Sequence, residues 1–396
     1  MEQAPPPPSP ERSPPPRAIA ARARTVLRER FGSDAAVVAT APGRVNLIGD
    51  HTDYNGGFVL PMAIDRVCAV AAAPGTRAGR WRIHSTDLGQ DAEMDVGRRL
   101  SPGGTVKGLW TSYIAGVAAG FQALLDGEPL PPLDIAIASS VPLGSGLSSS
   151  AALEVAVATM LEGVLGIELE PLAKALLCQR AEHEFAGVPC GLMDQFASIH
   201  GKAGHALLID CRDHTVTPIR LPRPEEASFL LIDSGVRHEL GATEYAARRR
   251  TCESAARKLS VPFLCSLSPP DLPAALGRLT DEEARCTRHA ITESARVEAA
   301  AAALRDGNLT RLGQLMLESH VSLRDDYRVS CPELDAIVES VAALPGVHGA
   351  RMTGAGFGGN AVVLAPPEAV DRACDATGSR VALVRPSPGA RLAASG

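Results

Sequence analysis

VPLGSGLSSSAALEVAVATML, residues 141–161, decides the fold of this chain. The stretch before it, PPLDIAIASS (131–140), alternates apolar positions and carries β-branched residues, which predicts a strand ending near Ser140. The stretch after it, AALEVAVATMLEGVL (151–165), places apolar residues at helical spacing. Between the two stand Gly144, Ser145, Gly146, Leu147, Ser148, Ser149 and Ser150. A strand, a glycine turn and a serine-capped helix start make a place for an anion. Glycines let the backbone come close, free amides at the helix start point outward, and the helix dipole favours negative charge. The serine hydroxyls can cap the helix or face a phosphate or its metal. An ordinary capped helix after a tight turn fits this segment as well.

With 396 residues the chain exceeds what one core usually organises, so two domains are expected. Hydrophobic residues make up 45% and charged residues 21%, an ordinary globular balance. A net charge of −6 without a long basic block argues against a nucleic-acid or anionic-membrane partner. No apolar run is long enough to span a bilayer, and no signal peptide is read at the start. The nine cysteines are odd in number and never form a CxxC pair, which points to free thiols in a reducing cytoplasm. Cys190 reads as a small buried residue, not a nucleophile.

Residues 1–16 form a proline-rich tail, expected to be disordered or polyproline II. Residues 17–31 read as an amphipathic helix and 36–40 as a short strand. That strand delivers APGRVNLIGDHTDYNGG (41–57), a loop holding Arg44, Asn46, Asp50, His51, Asp53, Tyr54 and Asn55. Carboxylates, an imidazole and amides in one loop are what neighbouring sugar hydroxyls need, and a site built to bond a hydroxyl rejects analogues strongly. A polar turn whose Asp and Asn bond their own backbone is the plainer alternative. The His51–Asp53 spacing alone makes a weak metal site, because no third histidine or cysteine ligand lies nearby.

Strands are expected at 66–73 and 81–84, and a helix at 109–125 that opens with Trp110, a candidate stacking surface for a planar base. A helix over 171–186 carries Glu182, for which a solvated helix charge is the bland reading. VPCGLMDQFASIHG (188–201) leads into a short helix with Asp194 in its first turn, where an acidic residue also suits the helix dipole. Strands at 205–210 and 215–220 precede LPRPEE (221–226), the candidate domain boundary. The second half opens with a strand at 229–232 and the polar SGVRHE (234–239), followed by helices near 242–259, 288–306, 309–323 and 332–343. Gly354, Gly356 and Gly359 match G-x-G-x-x-G, but NAVVLA follows them and reads as a strand. A dinucleotide fingerprint needs a helix there. No GK[ST] closes the serine turn, so it is not a Walker A loop.

APGRVNLIGDHTDYN, PLGSGLSSSA and GAGFGG, in that order, resemble the three motifs of the GHMP small-molecule kinases. The first motif, CGLMDQF and SGVRHE…TEYAARRR are most similar to the galactose-phosphorylating branch of that family. The resemblance implies a two-domain α+β fold: an N-terminal domain (17–222) around a mixed sheet with helices, and a C-terminal domain (223–396) of antiparallel strands with helices. It implies ATP and Mg2+ as cofactors, D-galactose as the small-molecule partner, no nucleic acid, no membrane, and a monomeric cytoplasmic enzyme. It places Gly144, Ser145, Gly146, Leu147, Ser148, Ser149 and Ser150 around the nucleotide phosphates, with Trp110 near adenine. It assigns Ser150 and Glu182 to the metal. Asp50, His51, Asp53, Gly191 and Tyr245 are implied to bind the sugar, Asp194 to take the proton of its C1 hydroxyl, and Arg44 to lie between Asp194 and the transferring phosphoryl group. Asp50 stands where the family motif usually reads Glu, so a sugar contact is expected to become water-mediated or to be lost. Ser145 and Ala355 depart from the pattern more mildly. A kinase of N-acetylgalactosamine or another aldose shares nearly every motif. A non-catalytic sensor of galactose and ATP is disfavoured by the unbroken GLSSSA with Asp194 and Arg44.

Overall fold

The strand before the serine turn forms at Leu133–Ser139 and the helix after it at Ser149–Leu165. A computed structural model describes residues 10–104, 109–237 and 241–394. Leu133–Ser139 sits inside a six-stranded sheet, antiparallel to Pro61–Pro74 and parallel to Arg80–Ser85. Val37–Asn46 pairs on the far side of Pro61–Pro74, and Gln90–Asp95 closes the other edge. One parallel pair makes the sheet mixed. Helix Pro16–Phe31 covers one face, setting Ala23 and Leu27 against Ala69, Ala71, Ala136 and Ala138. Helices Trp110–Leu124 and Ser149–Leu165 cover the other, where Ile135, Ile137 and Val70 are buried. Burial on both faces explains why residues 67–73 are continuously apolar instead of alternating.

The second large sheet sets Gly349–Thr353, Asn360–Ala365, Ser228–Asp233 and Val381–Val384 antiparallel to one another. Helices Gly241–Leu259, Asp281–Arg305, Leu309–Ser322 and Pro332–Ala342 follow the expected pattern, and Asp281–Arg305 starts seven residues earlier than its apolar period suggested. Its Thr280 and Glu283 form a capping box that fixes the earlier start. A three-stranded sheet of Phe58–Val59, His205–Asp210 and Thr215–Arg220 contacts Pro61–Pro74 and Asp281–Arg305.

The ends of the chain cross over. Glu11–Arg12 adds a short parallel strand to Val381–Val384, and Arg391–Leu392 pairs with Val37–Asn46 in the other sheet. Within the stretch expected to be tail, an open sheet edge takes up residues 11–12, and Pro16 opens the first helix at a position that needs no amide donor. Residues 1–9 of that tail, and 238–239 of SGVRHE, lie outside the described residues. As a proposed division of the chain, 17–222 and 223–396 keep each large sheet in one part apart from these end strands. Among the described residues no helix is long and apolar enough to cross a membrane.

Candidate active site

The sugar-type loop and the serine turn meet at Gly43. The chain expected to be loop from residue 41 continues as strand to Asn46, with a register shift between Pro42 and Arg44 that aims the Arg44 side chain out of the sheet. A Cβ on Gly43 would lie 2.5 Å from the carbonyl oxygen of Leu147, so only glycine lets the two backbones touch. There the Arg44 amide donates to that carbonyl at 3.1 Å.

Arg44 then spans to Asp194, 150 residues away. Its Nε donates to Oδ1 at 2.8 Å and a terminal nitrogen to Oδ2 at 2.9 Å, while the other terminal nitrogen donates to the Gly146 carbonyl. A two-point guanidinium–carboxylate pair fixes orientation as well as distance. Ser148, whose hydroxyl was expected either to cap the helix or to face a phosphate or its metal, makes no capping bond. It takes the left-handed region at φ 58° and its hydroxyl donates to Asp194 Oδ2 at 2.6 Å. The first turn of Ser149–Leu165 thus keeps amides free to face a ligand.

A cleft of about 370 Å³ opens here. Its walls include Arg44, Asp50, His51, Asp53, Gly144, Gly146, Ser148, Ser149, Ser150, Glu182, Gly191, Asp194 and Tyr245, with residues 353–359 opposite. Residues 354–359 run through several left-handed conformations as a strand–loop–strand, and Asn360 Nδ2 donates to the Ser145 carbonyl at 2.6 Å. Three motifs distant in sequence therefore share one cavity. Ser145 and Leu147 lie beneath it, buried, contributing backbone carbonyls to Asn360 and Arg44.

Trp110, expected near adenine, opens the helix Trp110–Leu124. It is not among the residues lining the cleft, and its Nε1 donates to Gln90 Oε1 at 2.8 Å. Tyr113, about one turn further along the same helix, lines the wall.

Asp50 reaches the cleft but its oxygens are already engaged. Oδ2 pairs with Arg351 at 2.6 Å and Oδ1 accepts from the Gly354 amide at 3.3 Å. Arg351, fully buried, also donates to the Asn46 carbonyl and to Ser319 Oγ. Asp53 accepts from the Tyr54 amide at 2.9 Å, and burial, with the Asp194 charge beside it, pushes its carboxyl up to about 6. A Cβ on Gly191 would fall 1.7 Å from Asp53 Oδ2. Burial, and then the Asp53 charge, raises the Tyr245 phenol well above its ordinary range. His51 is buried at φ 65°. Its Nδ1 meets the Tyr54 hydroxyl at 2.8 Å and its Nε2 the Ala355 carbonyl at 3.1 Å.

Glu182 sits on a single π-helical turn, Ala181–Ala186, that ends the α-helix Pro171–Arg180. One helix was expected over that range. The wider turn is a recurrent feature of functional helices. Burial, followed by the Asp194 charge, pushes Glu182 up to about 7, while bonds from Cys190, Ser150 and Gln195 pull it down. The Gln195 amide donates to Glu182 at 2.9 Å and the Cys190 thiol at 3.3 Å. Cys190 lines the cleft, and burial holds its thiol well above the ordinary range. Ser150 and Glu182 offer two hard oxygen donors beside the turn, a set that suits a cation taking its remaining ligands from phosphates and water. Among the described residues no cluster of three or more His, Cys, Asp or Glu is placed to hold a metal by itself.

Sequence reasoning missed several of these residues. Arg351 carried a readable signal, a lone arginine in an otherwise apolar strand. Ser148's bond to Asp194 carried none.

A glycine-serine turn at a helix start, an arginine-held carboxylate and a facing glycine loop between two α+β halves define a GHMP kinase. The galactokinase galactose-binding signature matches residues 26–74, the GHMP kinases N terminal domain residues 112–202, and the GHMP kinases C terminal domain residues 300–381. Galactokinase of Homo sapiens is 45% identical over 90% of this chain and 90% of its own. That of Chloroflexus aurantiacus is 46% identical over 87% and 88%. The crystal structure of Lactococcus lactis galactokinase complexed with galactose superposes with a TM-score of 0.87 at 29% identity, over 93% of this chain and 98% of that one. Methanococcus jannaschii mevalonate kinase, at 19% identity and a TM-score of 0.63, shares the fold. The chain belongs to the galactokinase family.

Proposed function

We propose that this chain transfers the terminal phosphoryl group of ATP to the C1 hydroxyl of D-galactose, giving galactose 1-phosphate and ADP and opening galactose breakdown. The observation that carries the proposal is the Asp194 carboxylate, gripped by two Arg44 nitrogens and by Ser148 at the foot of the glycine-serine turn.

Asp194 accepts the proton of the C1 hydroxyl as its oxygen bonds to phosphorus and the bridging bond to ADP breaks. Phosphoryl transfer asks little covalent work of a protein and much positioning, which a carboxylate fixed at three points supplies. Arg44 lays fixed positive charge beside the transferring group. Residues 144–150 cradle the phosphates through backbone amides and serine hydroxyls. Asp50, His51, Asp53, Gly191 and Tyr245 form the sugar end, with Gly191 small because Asp53 fills the space beside it. Ser150 and Glu182 hold magnesium, whose charge offsets that of the phosphates when bound. The nine free cysteines fit a reducing cytoplasm, and we read the enzyme as a monomer.

ADP release with Mg-ATP, measured with galactose, N-acetylgalactosamine and 2-deoxygalactose in turn, tests the reading. Galactose is expected to give the highest kcat/KM, and faster turnover of N-acetylgalactosamine overturns the substrate assignment. Asp194→Ala is expected to lower kcat by a factor on the order of 10²–10⁴ while nucleotide binding survives. Near-normal turnover in that variant removes the proton-acceptor role.

A further inference from the structure

We propose that His51 is a positioning residue: a one-way relay of donors from Cys252 through Tyr327 and Tyr54 fixes its ring, so that it straps the sugar loop to Ala355 and offers no ring nitrogen to a sugar hydroxyl. The proposal rests on the kinase reading above and deepens its sugar site.

The direction of the relay follows from hydrogen-bond bookkeeping. The Ala355 carbonyl can only accept, so the 3.1 Å bond to it requires a proton on His51 Nε2. Burial and nearby cations hold this imidazole neutral, down to about 3, so it carries one ring proton and Nδ1 must accept. The Tyr54 hydroxyl, 2.8 Å away, therefore donates to Nδ1. Its oxygen is then left to accept from the Tyr327 hydroxyl at 2.7 Å. Tyr327 in turn accepts from the Cys252 thiol at 3.1 Å. Every donor points the same way, and such chains polarise and strengthen their members.

The strap joins two distant parts of the cleft. His51 takes a left-handed backbone, φ 65°, that disfavours a side chain, and bonds at both ring ends hold it there. Asn55 Nδ2 grips its carbonyl at 2.7 Å, and His289 Nε2 grips the Asp50 carbonyl before it at 3.1 Å. Ala355 belongs to the glycine loop that covers the serine turn. With both nitrogens committed, His51 shows the cleft its ring face, tilted against Tyr245 with centroids 5.4 Å apart.

Long-range 1H–15N spectra of the full chain labelled with 15N-histidine test this directly. The His51 signal is assigned from backbone spectra or from its absence in His51→Gln. The expected result is a proton on Nε2, an Nδ1 shifted by an accepted bond, and no change of either on saturation with galactose. Tyr54→Phe, which keeps the ring and removes the donor, is expected to move Nδ1 toward its unbonded position. It is also expected to raise KM for galactose and for ATP together, by about three- to tenfold, the worth of one neutral hydrogen bond. A proton on Nδ1, ring shifts that follow galactose, an Nδ1 signal indifferent to Tyr54→Phe, or a rise in galactose KM alone overturns the proposal. The spectra need no turnover, so a failure of this relay and a failure of the galactose assignment are separate results.

Discussion

Replacing Gly191 by alanine tests how closely the sugar end is built. A Cβ there would stand 1.7 Å from Asp53 Oδ2 and 2.2 Å from its Cγ. Ordinary contact begins at 3.4 Å, so the carboxylate must retreat by about 1.7 Å. Asp53 has a short side chain, half-buried and held by the Tyr54 amide, and cannot swing aside as a long flexible group would. Misplacing a positioning group by about 1 Å can cost on the order of 10² in rate. We therefore expect Gly191→Ala to lower kcat/KM for galactose by about 10²-fold, and overpacking to cost about 1–3 kcal/mol of stability. Nucleotide binding should survive, because the added methyl faces Asp53 and not the serine turn. Initial rates of ADP release over a galactose titration, with nucleotide binding followed by fluorescence, measure both. The same substitution in an Asp53→Ala background should cost little more than Asp53→Ala alone, since the clash has gone. A folded Gly191→Ala whose kcat/KM stays within about threefold of the parent would refute the steric argument.

Three further outcomes follow from the same cleft. Arg351→Ala leaves the Asp50 carboxylate buried without its partner and should cost about 3–5 kcal/mol in chemical denaturation; a loss below about 1 kcal/mol would show that the pair does not hold the two motifs together. Asp53, raised from its ordinary 3.8 to about 6, binds its proton more tightly folded than unfolded. Its contribution is thus fully present below about pH 3.8 and lost as pH rises through about 6. Asp53→Asn should flatten that part of the stability curve, and an unaltered slope between those limits would sink the assignment. Glu182→Gln should raise the magnesium concentration needed for half-maximal rate, while an unchanged titration would take Glu182 out of the metal site.

Much of the fold was legible because its signals are local. Leu133–Ser139 and Ser149–Leu165 follow from alternation and helical period on either side of a glycine turn. His205–Asp210 and Thr215–Arg220 read directly from their patterns, and NAVVLA after the last glycines marked a strand and so excluded a dinucleotide loop. Residues 41–46 misled because Pro42, Arg44 and Asn46 look like loop. They continue a strand whose bulge makes the polarity functional. The candidate site was legible as a set of residues but not as an arrangement: Asp50 and His51 stood out as polar residues, but nothing nearby in sequence announced Arg351 or Ala355 as their partners.

The sequence by itself determined the elements, the glycine-serine turn and the chemical types gathered in the first motif, because dihedral preference, periodicity and capping act over a few residues. Only the tertiary structure decided that Arg44 grips Asp194 across 150 residues, that His51 reaches Ala355 across 304, and that Tyr113 lines the cleft. Those outcomes depend on how whole sheets and helices bury their apolar faces against each other, and a side chain's partner across such an interface leaves no trace in its own neighbourhood of the chain.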